Sequence, residues 1–273
     1  MACGKSMKCE DEKMMNPGRL LHCVLLAIAM LPLQGCAKEY SAKAIEAWVV
    51  DADSGQPLEG VNVVAHWELN YGLEGGGAYQ LTVMETVTDS AGRFTFPAWG
   101  PKQTPEGLPS EARMKSNDPG ILIFKAGYDT TYRANKEERR IPSDFGDRGP
   151  AVRDWYANGD KVKLMKVKNM PAQLRAYRYV NKKSDIEIEA SEMGFFDTNL
   201  HVLLTRSDCG WRDFPRAIAS AEKARRNLLK DHEDVVRKVF FGRETLYENL
   251  VSNDTNLTRQ CGQSPKKLFE VVQ

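Results

Sequence analysis

The sequence predicts a mainly β protein, two sheets packed as a sandwich, followed by a small helical C-terminal segment. Three observations lead there. Between 44 and 168, short runs with period-2 alternation are separated by clusters of Asp, Ser, Gly and Pro. Beyond 215 the apolar residues recur at intervals of three and four instead. Ahead of both lies an apolar run at 20–33 that is too short to cross a bilayer, which takes about 20 residues.

That run, "LLHCVLLAIAMLPL", follows Arg19 and lacks the polar stripe of a core helix, so it reads as the apolar stretch of a signal peptide. It runs into "LQGC" at 33–36, where Leu33, Gly35 and Cys36 resemble the lipobox of bacterial lipoproteins. The resemblance implies cleavage before Cys36 and acyl lipid, such as palmitate, on that cysteine. Several acyl chains hold a protein stably, because each buried CH₂ contributes about 0.8 kcal/mol. Ala37 in place of Asp implies the outer membrane of a Gram-negative cell. Residues 1–35 are then a leader and 36–43 a lipid-anchored linker. Glu10, Asp11 and Glu12 fit a leader poorly, so translation from Met14 or Met15 is the tidier expectation.

Within 44–168, "AIEAWVV" runs into the turn "DADSGQP" and then "GVNVVAHWELN". In that second strand Val61, Val63, Ala65, Trp67 and Leu69 share an apolar face, and Asn62, Val64, His66 and Glu68 share the other, which is expected to meet water. The glycine-rich "YGLEGGGAY" separates it from "QLTVMETVT". "DSAG" then turns the chain into "RFTFP", with Asp89 opening the turn and Gly92 taking positive φ. An aperiodic stretch follows at 99–119, then "ILIFKAGYDTTY", a second aperiodic stretch at 133–158, and "DKVKLMKV" as a last strand.

The blocks "VVDADSGQPLEGVNVVA", "TVTDSAGRFTFP" and "ILIFKAGYDT" resemble the carboxypeptidase regulatory-like domain. The resemblance implies a transthyretin-like sandwich of seven strands over 44–168, with Gly127-Tyr128 closing a strand and the aromatic tucked against the core. The stretches at 99–119 and 133–158 depart from the family as long insertions. Loops of that length are uncommon unless they bind something or are disordered, so Trp99, Trp155 and Tyr156 form a candidate contact surface for a glycan or envelope protein, the alternative being that they cap the sandwich ends.

From 169 to 273 the sequence reads as mixed short strands and helices. "LHVLLT" reads as a strand beginning at His201. Ile218, Ala221, Arg225 and Leu228 lie on one helix face after Pro215, with Asp213 as candidate N-cap and Gly242 as candidate terminator. Once a leader is removed and Cys36 is acylated, Cys209 and Cys261 remain. They read most simply as a disulfide in an oxidising envelope, two free thiols being the alternative.

The 38 basic and 37 acidic residues leave a formal charge of +1, with no electrostatic case for nucleic acid. His66, His201 and His232 lack metal-ligand spacing, and "DADSG" lacks the later ligands of a calcium loop. No cofactor, metal or catalytic residue is therefore expected. Transthyretin-like relatives include a purine-pathway hydrolase, but its C-terminal Tyr-Arg-Gly-Ser motif is missing. Intradiol dioxygenases need two Tyr and two His as iron ligands, a set that the histidine spacing does not support. The expected function is a non-catalytic, lipid-anchored envelope module for binding or structure. The alternatives are an accessory subunit of a transport or secretion complex, and a hydrolase whose site joins His66, His201 and a carboxylate.

Overall fold

The computed structural model describes residues 38–72, 76–135, 152–179, 184–204, 209–240 and 243–272. Cys36, the apolar run, most of the second insertion and Gly242 lie outside the described residues. The strands are β1 (Glu39–Ala42), β2 (Ile45–Asp51), β3 (Asn62–Tyr71), β4 (Gly77–Val87), β5 (Arg93–Phe96), β6 (Trp99–Gln103), β7 (Arg113–Met114), β8 (Gly120–Phe124), β9 (Thr131–Ala134), β10 (Val152–Arg153) and β11 (Lys161–Leu164). The α-helices are α1 (Ala172–Arg178), α2 (Asp185–Leu204), α3 (Pro215–Phe240), α4 (Leu246–Ser252), α5 (Asp254–Cys261) and α6 (Pro265–Val272).

Helical residues outnumber strand residues among these, so the protein is mixed rather than mainly β. Its eleven described strands also exceed the expected seven. Four of them arise where none was expected: β6 and β7 in the first insertion, β10 in the second and β1 in the supposed linker. That linker is no free tether, because Tyr40 and Ala42 are buried and β1 pairs with β6 and β10.

The strands form sheets in the orders β10-β1-β6, β11-β2-β5 and β4-β3-β8-β9, with β7 on the end of β3. One core draws on all three: Tyr40 and Ala42 of β1, Ala47 and Val49 of β2, Val63, Ala65 and Trp67 of β3, Phe94 and Phe96 of β5, and Ile121 and Ile123 of β8. The turns follow from their residues. The Asp51 carboxylate accepts from the Asp53 and Ser54 amides at 3.1 and 2.9 Å, closing the first turn, and Asp89 accepts from the Ala91 and Arg93 amides at 3.0 and 2.9 Å. Gly92 has φ +71°, and a Cβ there would come 2.4 Å from the Val49 carbonyl oxygen, so glycine is required on both counts. The Tyr128 ring leans on the core, and its hydroxyl donates to Asp51 at 3.0 Å.

The second face of the β4-β3-β8-β9 sheet does not meet water. Val64, Leu122 and Phe124 pack against Met193, Phe196 and Leu200 of α2 and Ala217, Ile218 and Ala221 of α3. Phe124 stacks on Phe196 with ring centroids 4.4 Å apart. Two carboxylates fasten the layers, Glu85 of β4 accepting from the Arg216 and Ala217 amides at the start of α3 (3.0 and 2.9 Å) and Glu192 of α2 from the Thr130 amide (2.6 Å), while Asp197 of α2 accepts from the Leu246 amide that opens α4 (3.1 Å) and joins two helices. Glu85 thus serves the helix for which Asp213 was the candidate cap; Asp213 lies in a 3-10 turn, Gly210–Asp213, ahead of it. His201 sits inside α2 and starts no strand: Ile188, Met193, Phe196, Leu200 and Leu203 keep helical spacing across the whole segment, and "LHVLLT" is only its end. Cys209 and Cys261 form a disulfide that clasps the helical layer across 52 residues, and Arg212 donates to the Cys261 carbonyl at 2.9 Å.

Candidate functional site

Where β3 runs beneath α2, the strand carries two side chains that would ordinarily face solvent. His66 is 5% exposed and Glu68 1%. Covering the sheet with α2 drew them inside, so the expectation that this face is solvated fails. The Nδ1 of His66 lies 3.4 Å from a Glu68 carboxylate oxygen, and its Nε2 lies 3.2 Å from the Tyr132 hydroxyl of β9. A carboxylate beside Nδ1 favours the tautomer with its proton there, which leaves Nε2 to accept from the phenol. Lys115 reaches the other Glu68 oxygen at 3.6 Å. The cluster depends on Gly120 of β8, because a Cβ there would sit 2.3 Å from both His66 Nε2 and the Tyr132 oxygen.

Behind this row is a second buried carboxyl. Asp118 accepts the Glu68 amide at 2.6 Å. Burial pushes Asp118 up to about 8, and the Glu68 charge adds to that shift, while the Glu68 amide, Lys115 and Arg153 oppose it. At neutral pH Asp118 therefore keeps its proton. Arg153 donates to the Met114 and Lys115 carbonyls at 3.1 and 2.6 Å, tying β10 to the segment that carries Lys115.

The cavity beside these groups is about 160 Å³, with Leu122, Val202, Leu203 and Asn199 completing its wall. It falls below the roughly 300–1,000 Å³ of pockets that hold drug-sized ligands. The Tyr132 phenol and the His66 imidazole are within hydrogen-bond distance, but the His66 Nδ1, 3.4 Å from the Glu68 carboxylate, makes no hydrogen bond, so the row is not a connected proton path. The space beside them admits only something very small.

The other sequence candidates lie elsewhere. His201 pairs with Asp197 at 3.5 Å and lines a different cavity, with Phe195 and Phe240, so His66 and His201 do not share a pocket. His232 lies at a kink in α3, with φ −141°. The proposed contact surface is not a surface. Trp99 and Trp155 are buried in the core, Trp99 edge-on to Trp67 at 5.4 Å and Trp155 beside Phe94 at 6.2 Å, because the insertions that carry them fold back as β6 and β10 onto β1. Only Tyr156 is exposed, at 42%. Among the described residues no three metal-capable side chains come together, and no helix is long and apolar enough to cross a membrane. The His66 cluster had one legible signal: "ILIF" in β8 is apolar without alternation, the pattern of a strand covered on both faces.

No protein-family model matches the chain, and no curated protein matches it. Among solved structures it is similar to a 3-chlorocatechol 1,2-dioxygenase from Rhodococcus opacus, 18% identical over 50% of this chain and 63% of that one, with a TM-score of 0.27. It is also similar to a 9R-lipoxygenase from Cyanothece, 11% identical over 90% of this chain and 32% of that one, with a TM-score of 0.23. The chain therefore spans less than two thirds of either enzyme, and likeness at this level carries no argument about fold or activity.

Proposed function

We propose that this protein is a non-catalytic binding module of the bacterial cell envelope, anchored through lipid on Cys36 and built on a transthyretin-like, carboxypeptidase regulatory-like sandwich. The observation that carries the reading is the Cys209–Cys261 disulfide, which suits an oxidising compartment outside the cytoplasm, where a lipobox-bearing chain is delivered. With β1, β6, β7 and β10 set aside, seven strands remain, which supports the finer fold assignment. The turn at Asp51, bonded by Tyr128, and the Gly92 turn use the residues on which the resemblance rests.

The His66 cluster supports a structural role. Its charged groups engage one another and the neighbouring backbone, and the cavity beside them is small. Only Ala37 and Lys38 separate Cys36 from β1, so an acylated Cys36 would hold the sheets within about 10 Å of the headgroups. Fractionation of cells that express the chain with Cys36→Ala tests the anchor. The native chain is expected in the membrane fraction and released by detergent but not by high salt, and the variant is expected to lose its acylation. A variant that still incorporates labelled palmitate would contradict the reading.

A further inference from the structure

The C-terminal helices divide at Asn253 into a firmly seated part and a strap. On the seated side, α4 buries Leu246 and Leu250. Its first turn is held by Asp197 and by the capping box of Thr245 and Glu248, and the Thr245 hydroxyl also donates to Glu222 at 3.3 Å. Beyond Asn253, Cys261 is the one buried residue of α5, and α6 buries Pro265 and Phe269. Asp254 ties α5 to α6, accepting the Ser264 hydroxyl at 2.7 Å and the Lys266 amide at 3.0 Å. Residues 254–272 therefore hold together as one strap.

The strap meets the rest of the helical layer at a clasp and an aromatic seat. The clasp is the disulfide from Cys261 to Cys209. The seat is made by Phe269, with Leu268 and Val272 partly buried beside it. Phe269 lies edge-on to Trp211, with ring centroids 6.5 Å apart, and against Tyr247 at 4.9 Å. Arg212 stands across the clasp, donating to the Cys209 carbonyl at 3.3 Å and to the Cys261 carbonyl at 2.9 Å. A cation beside a cysteine favours its thiolate, the form in which a sulfur leaves a disulfide. Cys209 is half-buried and Cys261 is buried, so Cys209 is the sulfur that an external thiolate reaches.

A trough of about 670 Å³ runs between the second half of α3, α4 and α6, and the strap supplies Lys266 to its wall. Movement of the strap would widen this trough and bare Trp211 and Tyr247 together.

We propose that Cys209–Cys261 is a redox-operated clasp: a dithiol reduces it in the folded protein, and the strap then leaves Trp211 and Tyr247 while the sheets, α2 and α3 stay in place. A thiolate of the dithiol attacks the Cys209 Sγ, and the electron pair of the S–S bond leaves on the Cys261 Sγ, which takes up a proton. The second thiolate of the dithiol then displaces Cys209, which takes up the other proton. The dithiol ends as a disulfide and the clasp as two thiols, so two electrons and two protons have passed. The inference does not depend on acylation of Cys36, and no outcome below bears on the anchor.

The test is hydrogen exchange read by peptide mass on the purified full chain, before and after dithiothreitol in native buffer. Thiols are counted only on the peptides that hold Cys209 and Cys261. The expected result is a new thiol at each cysteine and exchange about tenfold faster or more across 254–272, with β3 and α2 keeping their protection. Oxidised glutathione should then restore the slow exchange. The double variant Cys209→Ser, Cys261→Ser should exchange fast across 254–272 with no reductant present. A clasp that yields only in denaturant would overturn the inference, as would reduction that leaves exchange across 254–272 unchanged. Loss of protection that spreads to β3 and α2 would make the disulfide a plain structural staple and overturn it too. A double variant that fails to fold would do the same, because the reduced state must be a folded one.

Discussion

Asp118 shows how one buried carboxyl shapes the acid–base behaviour of the fold. Its pKa rises from 3.8 to about 8, so the folded state holds a proton that the unfolded chain releases. Stability is then greatest below the unfolded value and falls as pH rises from about 4 to 8. Glu192, raised by burial from 4.5 to about 7 despite the Thr130 amide, acts in the same direction over a narrower window. Asp51 works oppositely. The Ser54 amide and then Lys166 hold its pKa well below 3.8, so its contribution is present above the unfolded value and lost in strong acid. Thermal melting from pH 4 to 9 should therefore show a falling transition temperature up to about pH 8. Asp118→Asn, which can still accept the Glu68 amide, should remove the Asp118 share of the fall from about pH 4 to 8, including all of the part above 7, and Glu192→Gln its own share between 4.5 and 7. Gly120→Ala should cost about 1–3 kcal/mol in urea unfolding, because its methyl group must displace His66 or Tyr132. A change below 0.5 kcal/mol would mean that the two side chains yield freely. Asp51 was legible as a turn residue, but Asp118 sat in an aperiodic stretch, and His66 on a strand face that alternation assigned to solvent.

The elements that alternate cleanly were readable, and those whose partners come from far away were not. The strands β2 to β5 follow from local pattern and turn residues, since Asp51, Asp89 and Gly92 bend the chain through their own hydrogen bonds and positive φ. The helix at Pro215 likewise follows from spacing and from the fixed φ of proline. By contrast β6, β7 and β10 have little pattern of their own and exist because β1 or β3 offers an edge. Trp99 and Trp155 went with them into the core. The whole length of α2 was hidden because its apolar residues, read in short pieces, look like separate fragments. This layer makes two quantitative claims. Phe196→Ala removes the ring stacked on Phe124 and should destabilise the protein by about 3–5 kcal/mol. Reducing Cys209–Cys261, or replacing both with Ser, should cost about 4 kcal/mol on the chain-entropy model for a loop of this length. Fluorescence-monitored denaturant unfolding reads both, and a Phe196→Ala chain as stable as the native one would show that α2 is only loosely applied to the sheet.

At the scale of the whole molecule, a sheet is buried on both faces, by the other sheets on one side and by α2 and α3 on the other. That arrangement encloses the polar His66 cluster and leaves the larger troughs at the outer edge of the helical layer. In the proposed account the acylated Cys36 precedes β1 by only two intervening residues in the sequence, so the anchor tethers the sheets to the membrane and the disulfide keeps the helical layer closed outside the cytoplasm. An intact mass on protein extracted from membranes tests this most directly. The account predicts a chain that begins at Cys36, carries added acyl mass, and is two hydrogens lighter than the reduced polypeptide. A chain that retains residues 1–35, or is cut elsewhere without lipid, would contradict it.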